Sequence, residues 1–70
     1  MLHSRDDVFA RIQRRGFIVE SAVIGGCVRF TGYHHQAGPA GSCTVLSAGP
    51  MPLAIDAAAR ELARRLGVDA

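Results

Sequence analysis

Two adjacent glycines, Gly25 and Gly26, constrain the fold of this chain more than any other feature of the sequence. They separate two runs rich in β-branched and apolar residues, residues 17–24 and 27–33. A two-residue turn between antiparallel strands needs positive φ angles, which glycine adopts without steric cost. The pair therefore predicts a tight β-hairpin in which Ile24 lies opposite Cys27 and Val23 lies opposite Val28.

This register assigns each side chain of the hairpin to one of two faces, because successive strand residues point to opposite sides. One face is predicted to form the core, and it carries Phe17, Val19, Val23, Val28 and Phe30.

The opposite face of the hairpin mixes charged and apolar side chains. Glu20 is diagonal to Arg29, which predicts a cross-strand ion pair. Ile18, Ile24 and Tyr33 are too apolar for a fully solvated surface. These three residues are the predicted protein-contact site.

Two helices and a third strand are predicted on either side of the hairpin. Residues 5–15 follow Ser4, a good N-cap, and precede Gly16, which suits the left-handed residue after a helix. A strand is predicted over residues 42–47, after an irregular segment at 34–42. Residues 52–66 begin at Pro52, end before Gly67, and repeat apolar residues at helical spacing.

These elements define an α+β fold class. We predict one domain over residues 1–70, with the order α-β-β-β-α in two layers. The three strands form an antiparallel meander, and both helices pack on its core face. A chain of this size has a marginal balance of burial against chain entropy, and self-association or docking onto a partner is a common remedy.

The sequence predicts a soluble, cytoplasmic protein that does not enter a membrane. No apolar run reaches the roughly 18 residues that a membrane span requires. The N-terminal segment, residues 1–7, lacks the basic-then-apolar pattern of a signal peptide. The two cysteines do not form a disulfide framework.

No catalytic constellation, metal site or cofactor is predicted. His34 and His35 are adjacent, so their rings would point to opposite faces unless the strand has already ended, and we interpret them as histidines at the end of a loop. Cys27 and Cys43 begin neighbouring antiparallel strands and therefore lie at opposite ends of the sheet. The acids are accounted for by helix ends and ion pairs, including Glu61 with Arg65, and we expect the protein not to be an enzyme.

The basic residues give an alternative functional hypothesis. All eight are arginines, and the formal net charge is +2. If the helices lie side by side, the arginines near their C-terminal ends could merge into a surface that contacts phosphates. The residues of this alternative nucleic-acid site are Arg14, Arg15, Arg60, Arg64 and Arg65. The competing explanation is that arginine near a helix C-terminus complements the helix dipole.

Three stretches of the sequence together resemble the phage ABA-sandwich family of small phage and prophage proteins. They are the segment ending Arg14-Arg15-Gly16-Phe17, the hairpin segment Gly25-Gly26-Cys27-Val28-Arg29-Phe30, and Pro52-Leu53-Ala54-Ile55 with Ala58-Ala59. The resemblance implies a viral or prophage origin and no particular mechanism.

Two further resemblances concern the order of the elements. The α-β-β-β-α order and the alanine-rich last helix are similar to a double-stranded-RNA-binding domain. That family carries a lysine-rich motif at the start of the last helix, where this chain has Met51-Pro52-Leu53-Ala54-Ile55. The order also resembles the mRNA-interferase toxins, whose catalytic histidine follows a Gly-Ser pair on an early strand, but no Gly-Ser pair precedes a histidine here.

We therefore expect a non-enzymatic accessory protein of phage or prophage type that acts through protein–protein contact. The partner is another protein or a second copy of the chain. A small nucleic-acid-binding module that uses the arginines is the alternative.

Overall fold

The computed structural model describes residues 4–68 and confirms the predicted order of elements. The predicted domain bounds, residues 1 and 70, lie outside the described residues. So does part of the N-terminal segment, residues 1–7, in which no signal-peptide pattern was found. The elements are α1 (Arg5–Arg14), β1 (Phe17–Ile24), β2 (Cys27–His34), a short 3₁₀ helix (Pro39–Gly41), β3 (Cys43–Leu46) and α2 (Pro52–Arg65). The strands form one antiparallel sheet in the order β1-β2-β3.

The helix α1 is bounded by the residues that the sequence indicated. The Ser4 hydroxyl accepts a hydrogen bond from the Asp7 backbone N–H at 3.4 Å. Gly16 has a φ of +91° and donates its N–H to the carbonyl of Gln13, 3.0 Å away. The left-handed conformation is costly for other residues but not for glycine, so the chain leaves the helix at Gly16.

The hairpin has the predicted turn and register. Gly25 and Gly26 have φ angles of +57° and +83°, the pattern of a type I′ turn. Ile24 pairs with Cys27, and Val23 pairs with Val28. The turn therefore sets which residues of β1 and β2 face the helices.

The strand β3 is one residue shorter at each end than predicted. Ser47 shows why its C-terminal end comes early. Its side chain is buried, and its hydroxyl accepts the Val28 N–H at 2.9 Å and donates to the Gly49 carbonyl at 2.8 Å. The Ser47 N–H also donates to the Val28 carbonyl at 2.8 Å. Ser47 thus satisfies the backbone of β2 while the chain already turns away toward α2.

The helix α2 begins at Pro52 and ends in a Schellman motif. Gly67 has a φ of +76°, and its N–H donates to the Arg64 carbonyl at 3.1 Å. The Val68 N–H donates to the Ala63 carbonyl at 2.8 Å, and the Val68 side chain is fully buried. The cap therefore also places one more apolar side chain in the core.

Both helices pack on the same face of the sheet, as predicted. Phe9 of α1 meets Phe30 of β2 edge-on, with ring centroids 5.0 Å apart. Leu62 and Leu66 of α2 lie against Gly32, where an added Cβ would stand 2.8 Å from Leu66 Cδ1. Phe30 and Gly32 are two residues apart on one strand and so point to the same side.

The prediction that Val23 belongs to the core is wrong. Val23 lies on the predicted face but is 75% exposed, whereas Phe30 is 1% exposed. Val23 is next to the hairpin turn on the outer strand, beyond the area that the two helices cover. Phe17, Val19 and Val28 are half-buried against the core.

Candidate functional site

The face of the sheet opposite the helices is uncovered in the part of the chain that the structure describes. We call it the uncovered face. Its apolar members are Ile18 and Ile24 of β1 and Leu46 of β3, which are 41%, 47% and 57% exposed. Its other members are Glu20, Ala22, Cys27, Arg29, Thr31, Tyr33 and Thr44, assigned by the strand pairing and alternation.

All three residues of the predicted protein-contact site lie on the uncovered face. Ile18 pairs directly with Tyr33, which is half-buried, and Ile24 is at the hairpin end of the same face. The hairpin register alone places these residues on one face, although Ile24 lies about 20 Å along β1 from Ile18.

Leu46 belongs to the same surface and was missed by the sequence reasoning. It pairs with Arg29, so it lies on the far side of β2 from Ala22. In β3 the side chains alternate, so Val45 is buried and Leu46 is exposed. The sequence could show this alternation but not its direction. Two adjacent aliphatic residues in a short strand do not reveal which of them faces inward.

The centre of the uncovered face is polar and slightly concave. Ala22 leaves a shallow depression of about 260 Å³ lined by Glu20, Ser21, Ala22, Arg29 and Thr31. Thr31 and Thr44 share a hydrogen bond between their hydroxyls at 3.3 Å.

The predicted ion pair between Glu20 and Arg29 is not formed. The ion pairs among residues 4–68 involve other residues, and both side chains are exposed. Glu20 is paired across the sheet with Thr31, and Arg29 with Ala22, so the two charges lie on a diagonal. An acid and a base are thus both presented to whatever meets this face.

Four arginines of the alternative nucleic-acid site, Arg14, Arg15, Arg64 and Arg65, lie at one end of the molecule, whereas Arg60 lies further back along α2. The N-terminal ends of the two helices adjoin, because the Arg5 N–H donates to Asp56 Oδ1 at 2.9 Å. The C-terminal ends both approach the end of β2, where Gly16 accepts the His35 N–H at 3.1 Å and Leu66 contacts Gly32.

Two of these arginines are held by one acid. Arg64 Nε donates to Glu61 Oε1 at 2.9 Å, and Arg65 Nε donates to Glu61 Oε2 at 2.9 Å, which confirms the predicted pair with Arg65. These hydrogen bonds lower the pKa of Glu61 from its ordinary value of 4.5 to about 2, and the one from Arg64 has the larger effect. Arg14 and Arg15 are exposed, and Arg60 is half-buried.

The two histidines lie where β2 ends, so the alternation expected within a strand does not separate their rings. Their rings are stacked with centroids 4.6 Å apart, and Phe17 meets the His34 ring edge-on at 5.2 Å. The strand ends at His34, so the alternation no longer holds for His35. His34 Nδ1 accepts the Gln36 N–H at 3.2 Å, which orients this ring.

Among residues 4–68, no group of three or more His, Cys, Asp or Glu side chains is arranged to hold a metal ion. Cys27 and Cys43 are half-buried and are not disulfide-bonded. Cys27 lies on the uncovered face, and Cys43 lies on the helix-covered face, where it packs against the core.

The fold and this surface define a small two-layer α+β domain with one covered and one uncovered sheet face. Comparison of the chain with protein-family models, curated proteins and solved structures gives no match. The resemblance to the phage ABA-sandwich family therefore stays a prediction. Neither helix within residues 4–68 has the length and apolar content needed to cross a membrane.

Proposed function

We propose that this protein acts through protein–protein contact and is not an enzyme, and that the uncovered face is its contact surface. The observation that carries the proposal is the grouping of Ile18, Ile24 and Leu46, each between 41% and 57% exposed, on one sheet face. These apolar side chains lie around a polar centre, and exposed apolar side chains gathered on one face and interspersed with polar ones mark a candidate protein-interaction site.

The charges on the uncovered face specify the chemistry of its partner. Glu20 and Arg29 are exposed at its centre, and neither has an ion-pair partner among the described residues. A matching protein surface has apolar side chains around a polar centre, with an acid opposite Arg29 and a base opposite Glu20. The phage ABA-sandwich resemblance supports the further proposal that the contact belongs to an accessory function of phage or prophage type.

A matched pair of substitutions tests this proposal. Leu46→Glu places a charge on the uncovered face, whereas Leu53→Glu makes the same change on α2, where Leu53 is 72% exposed. Both variants and the wild type are immobilised, exposed to lysate of the source cells, and the retained proteins are quantified. We expect at least one protein that the wild type and Leu53→Glu retain equally and that Leu46→Glu loses.

The opposite outcome is equally clear. If every retained protein binds Leu46→Glu as well as it binds Leu53→Glu, the uncovered face is not the contact surface. Circular dichroism of both variants shows whether a loss of binding reflects a loss of fold.

The second candidate function is nucleic-acid binding, and the parallel arrangement of the two helices favours it. This arrangement brings Arg14, Arg15, Arg64 and Arg65 to one end of the protein. Against it, Glu61 neutralises part of the charge of Arg64 and Arg65. Phosphate recognition would need those arginines to exchange one anion for another.

Fluorescence anisotropy of labelled duplex RNA, duplex DNA and single strands distinguishes the two functions. Binding that weakens steeply with salt, and that is lost when Arg14→Glu and Arg64→Glu are combined, would favour the second candidate. Absence of binding at low salt would leave these arginines as charges that complement the helix dipoles and solvate the surface.

A further inference from the structure

Within residues 4–68, the sheet order β1-β2-β3 leaves the outer edge of β1 without a neighbouring strand. It is eight residues long and pairs with β2 along its whole length. The other outer strand, β3, has four residues, and the side chain of Arg65 reaches across it to the Thr44 carbonyl at 3.4 Å. The edge of β1 is therefore the longer and the more open of the two.

The hydrogen-bond pattern shows which backbone groups of β1 point outward. The His35 N–H donates to the Gly16 carbonyl, so the pair of residues 16 and 35 is hydrogen-bonded. In an antiparallel ladder such pairs alternate, so residues 18, 20, 22 and 24 also bond toward β2. The N–H and C=O groups of Phe17, Val19, Ser21 and Val23 point away from the sheet.

The sequence of β1 lacks the features that usually protect such an edge. It contains no proline and no lysine, its register with β2 is unbroken by a bulge, and Glu20 is its one charged residue. Val23 and Ile24 are 75% and 47% exposed beside this edge. A long edge strand of this kind is a template for pairing with another chain.

We propose that β1 pairs antiparallel with β1 of a second copy of this chain, with Ser21 opposite the partner's Ser21. The two sheets then form one sheet of six strands around a two-fold axis. The outward-pointing N–H and C=O groups of Val19, Ser21 and Val23 bond across the axis.

The side chains select this register over its neighbour. Centring the pairing on Glu20 would place this acid directly opposite the partner's Glu20, which is unfavourable. Centring on Ser21 instead places Val19 opposite the partner's Val23 and Ile18 opposite the partner's Ile24. The exposed Val23 and Ile24 are then covered by apolar side chains.

The same register gives Glu20 and Arg29 ion-pair partners across the dimer. Glu20 lies opposite the partner's Ala22, and Ala22 is paired on its other side with Arg29. Glu20 and the partner's Arg29 are thus two strand spacings apart, about 10 Å between Cα atoms. The small Ala22 side chain and the depression above it leave room for the two long side chains to meet. The two-fold axis gives two such ion pairs.

This dimer goes beyond the proposed function: it uses the edge of β1 together with Glu20 and Arg29 of the uncovered face, and it leaves Leu46 on the other edge strand accessible. It also joins the two uncovered faces into one continuous surface. Ser21 belongs only to the dimer and Leu46 only to the protein contact, so substitutions at these two residues distinguish failure of one proposal from failure of the other.

Sedimentation velocity of the full chain over a range of concentrations, combined with Ser21→Pro, is the first test. The Ser21 N–H points outward, so proline removes hydrogen bonds between the copies and none between β1 and β2. Two symmetric hydrogen bonds are lost, and we expect the dimer dissociation constant to rise at least about tenfold. Leu46→Glu is the control, because Leu46 is on β3 at the other edge of the sheet, and it leaves the dimer dissociation constant unchanged.

A charge exchange keeps the proposal testable even if Ser21→Pro does not fold. Glu20→Arg and Arg29→Glu each place like charges opposite one another in a dimer, so each variant alone is expected to be monomeric. When the two are mixed, both ion pairs are complementary, and a heterodimer forms. A wild type that is monomeric at high micromolar concentration, or variants that do not associate on mixing, would overturn the proposal. Loss of the dimer in Leu46→Glu but not in Ser21→Pro would assign the contact to the uncovered face instead.

Discussion

At Gly32 the sheet and α2 come closer than a side chain would permit. Its backbone has ordinary strand conformation, so the requirement for glycine is steric rather than conformational. A Cβ at this position would lie 2.8 Å from Leu66 Cδ1 and 3.4 Å from both methyl carbons of Leu62. Leu66 is half-buried and its methyl end can shift, but it can do so only against Leu62, which is fully buried and has little freedom to move aside.

Gly32→Ala is therefore expected to lower the free energy of unfolding by about 1–3 kcal/mol, as overpacking of a core does. Urea unfolding followed by circular dichroism measures this difference. Gly41→Ala is the matched control, because its Cβ would meet Ala37 at an ordinary 3.9 Å, and its effect should stay within about 0.5 kcal/mol. Equal effects of the two substitutions would show that Gly32 is not a close contact.

Glu61 gives the folded protein a specific pH dependence. Its pKa is lowered from 4.5 to about 2, so the unfolded chain binds a proton more readily than the folded protein does. The stabilisation by Arg64 and Arg65 is then complete above pH 4.5 and is lost as the pH falls toward 2.

Glu61→Gln removes this contribution. We expect the stability difference between wild type and Glu61→Gln to be largest near neutral pH and to shrink as the pH falls from 4.5 toward 2. Urea midpoints of both proteins across this range provide the measurement. Because the pair is exposed, added salt should also reduce the difference. A difference that stays constant with pH would contradict the assigned ion pair.

Between elements, a hydrogen bond between residues far apart in sequence links the starts of the two helices. Asp56 Oδ1 accepts the Arg5 N–H at 2.9 Å, although 51 residues separate them. The first N–H groups of a helix have no partner within the helix, so α2 supplies an acceptor for α1 in addition to Ser4. Because both helices begin at this contact and extend from it toward the same end of the sheet, they run in the same direction.

Asp56→Ala is expected to destabilise the protein by about 0.5–2 kcal/mol, the range for loss of a helix N-cap. Hydrogen exchange should locate the loss in the first turn of α1. Asp56→Asn keeps an acceptor oxygen and should recover most of the stability. If Asp56→Asn is as unstable as Asp56→Ala, the charge of Asp56 matters more than this hydrogen bond.

The elements that depend on neighbouring residues were predictable from the sequence. Gly25 and Gly26 set the hairpin register, and Gly16 and Gly67 end the helices, because φ preferences and caps are local. The contact residues Ile18, Ile24 and Tyr33 were placed on one face by that register alone.

The errors and the points that the sequence left open concern what distant elements cover. The exposure of Val23 depends on how far the helices extend over β1, and the stacking of His34 on His35 depends on where β2 ends. Leu46 was missed because the inward side of β3 is set by its pairing with β2. The failure of Glu20 to meet Arg29 depends on side-chain placement that a diagonal position does not fix.

At the scale of the whole molecule, the described residues form a thin two-layer body. Its principal dimensions are 32 × 29 × 15 Å, and the short one contains a single helix layer on a single sheet. One broad side is therefore made of helices, and the other is the uncovered face. A core with one layer on each side leaves a small margin of stability, which association can increase.

The stability of this protein should accordingly depend on its concentration. A dimer that forms only from folded chains raises the midpoint of thermal unfolding as the protein concentration increases. Calorimetry of the wild type over a wide concentration range should show this rise, and Ser21→Pro should abolish it. A wild-type midpoint that does not move with concentration would argue for a folded monomer.

The one-sided core divides the residues of β2 into two sets under different evolutionary pressures. Val28, Phe30 and Gly32 face the helices, so natural selection for folding acts on them directly. Arg29, Thr31 and Tyr33 face away and contribute little to that core. The fold alone would let alternate positions of β2 drift during evolution. Any invariance among relatives at the outward positions would record the history of a binding partner rather than that of the fold.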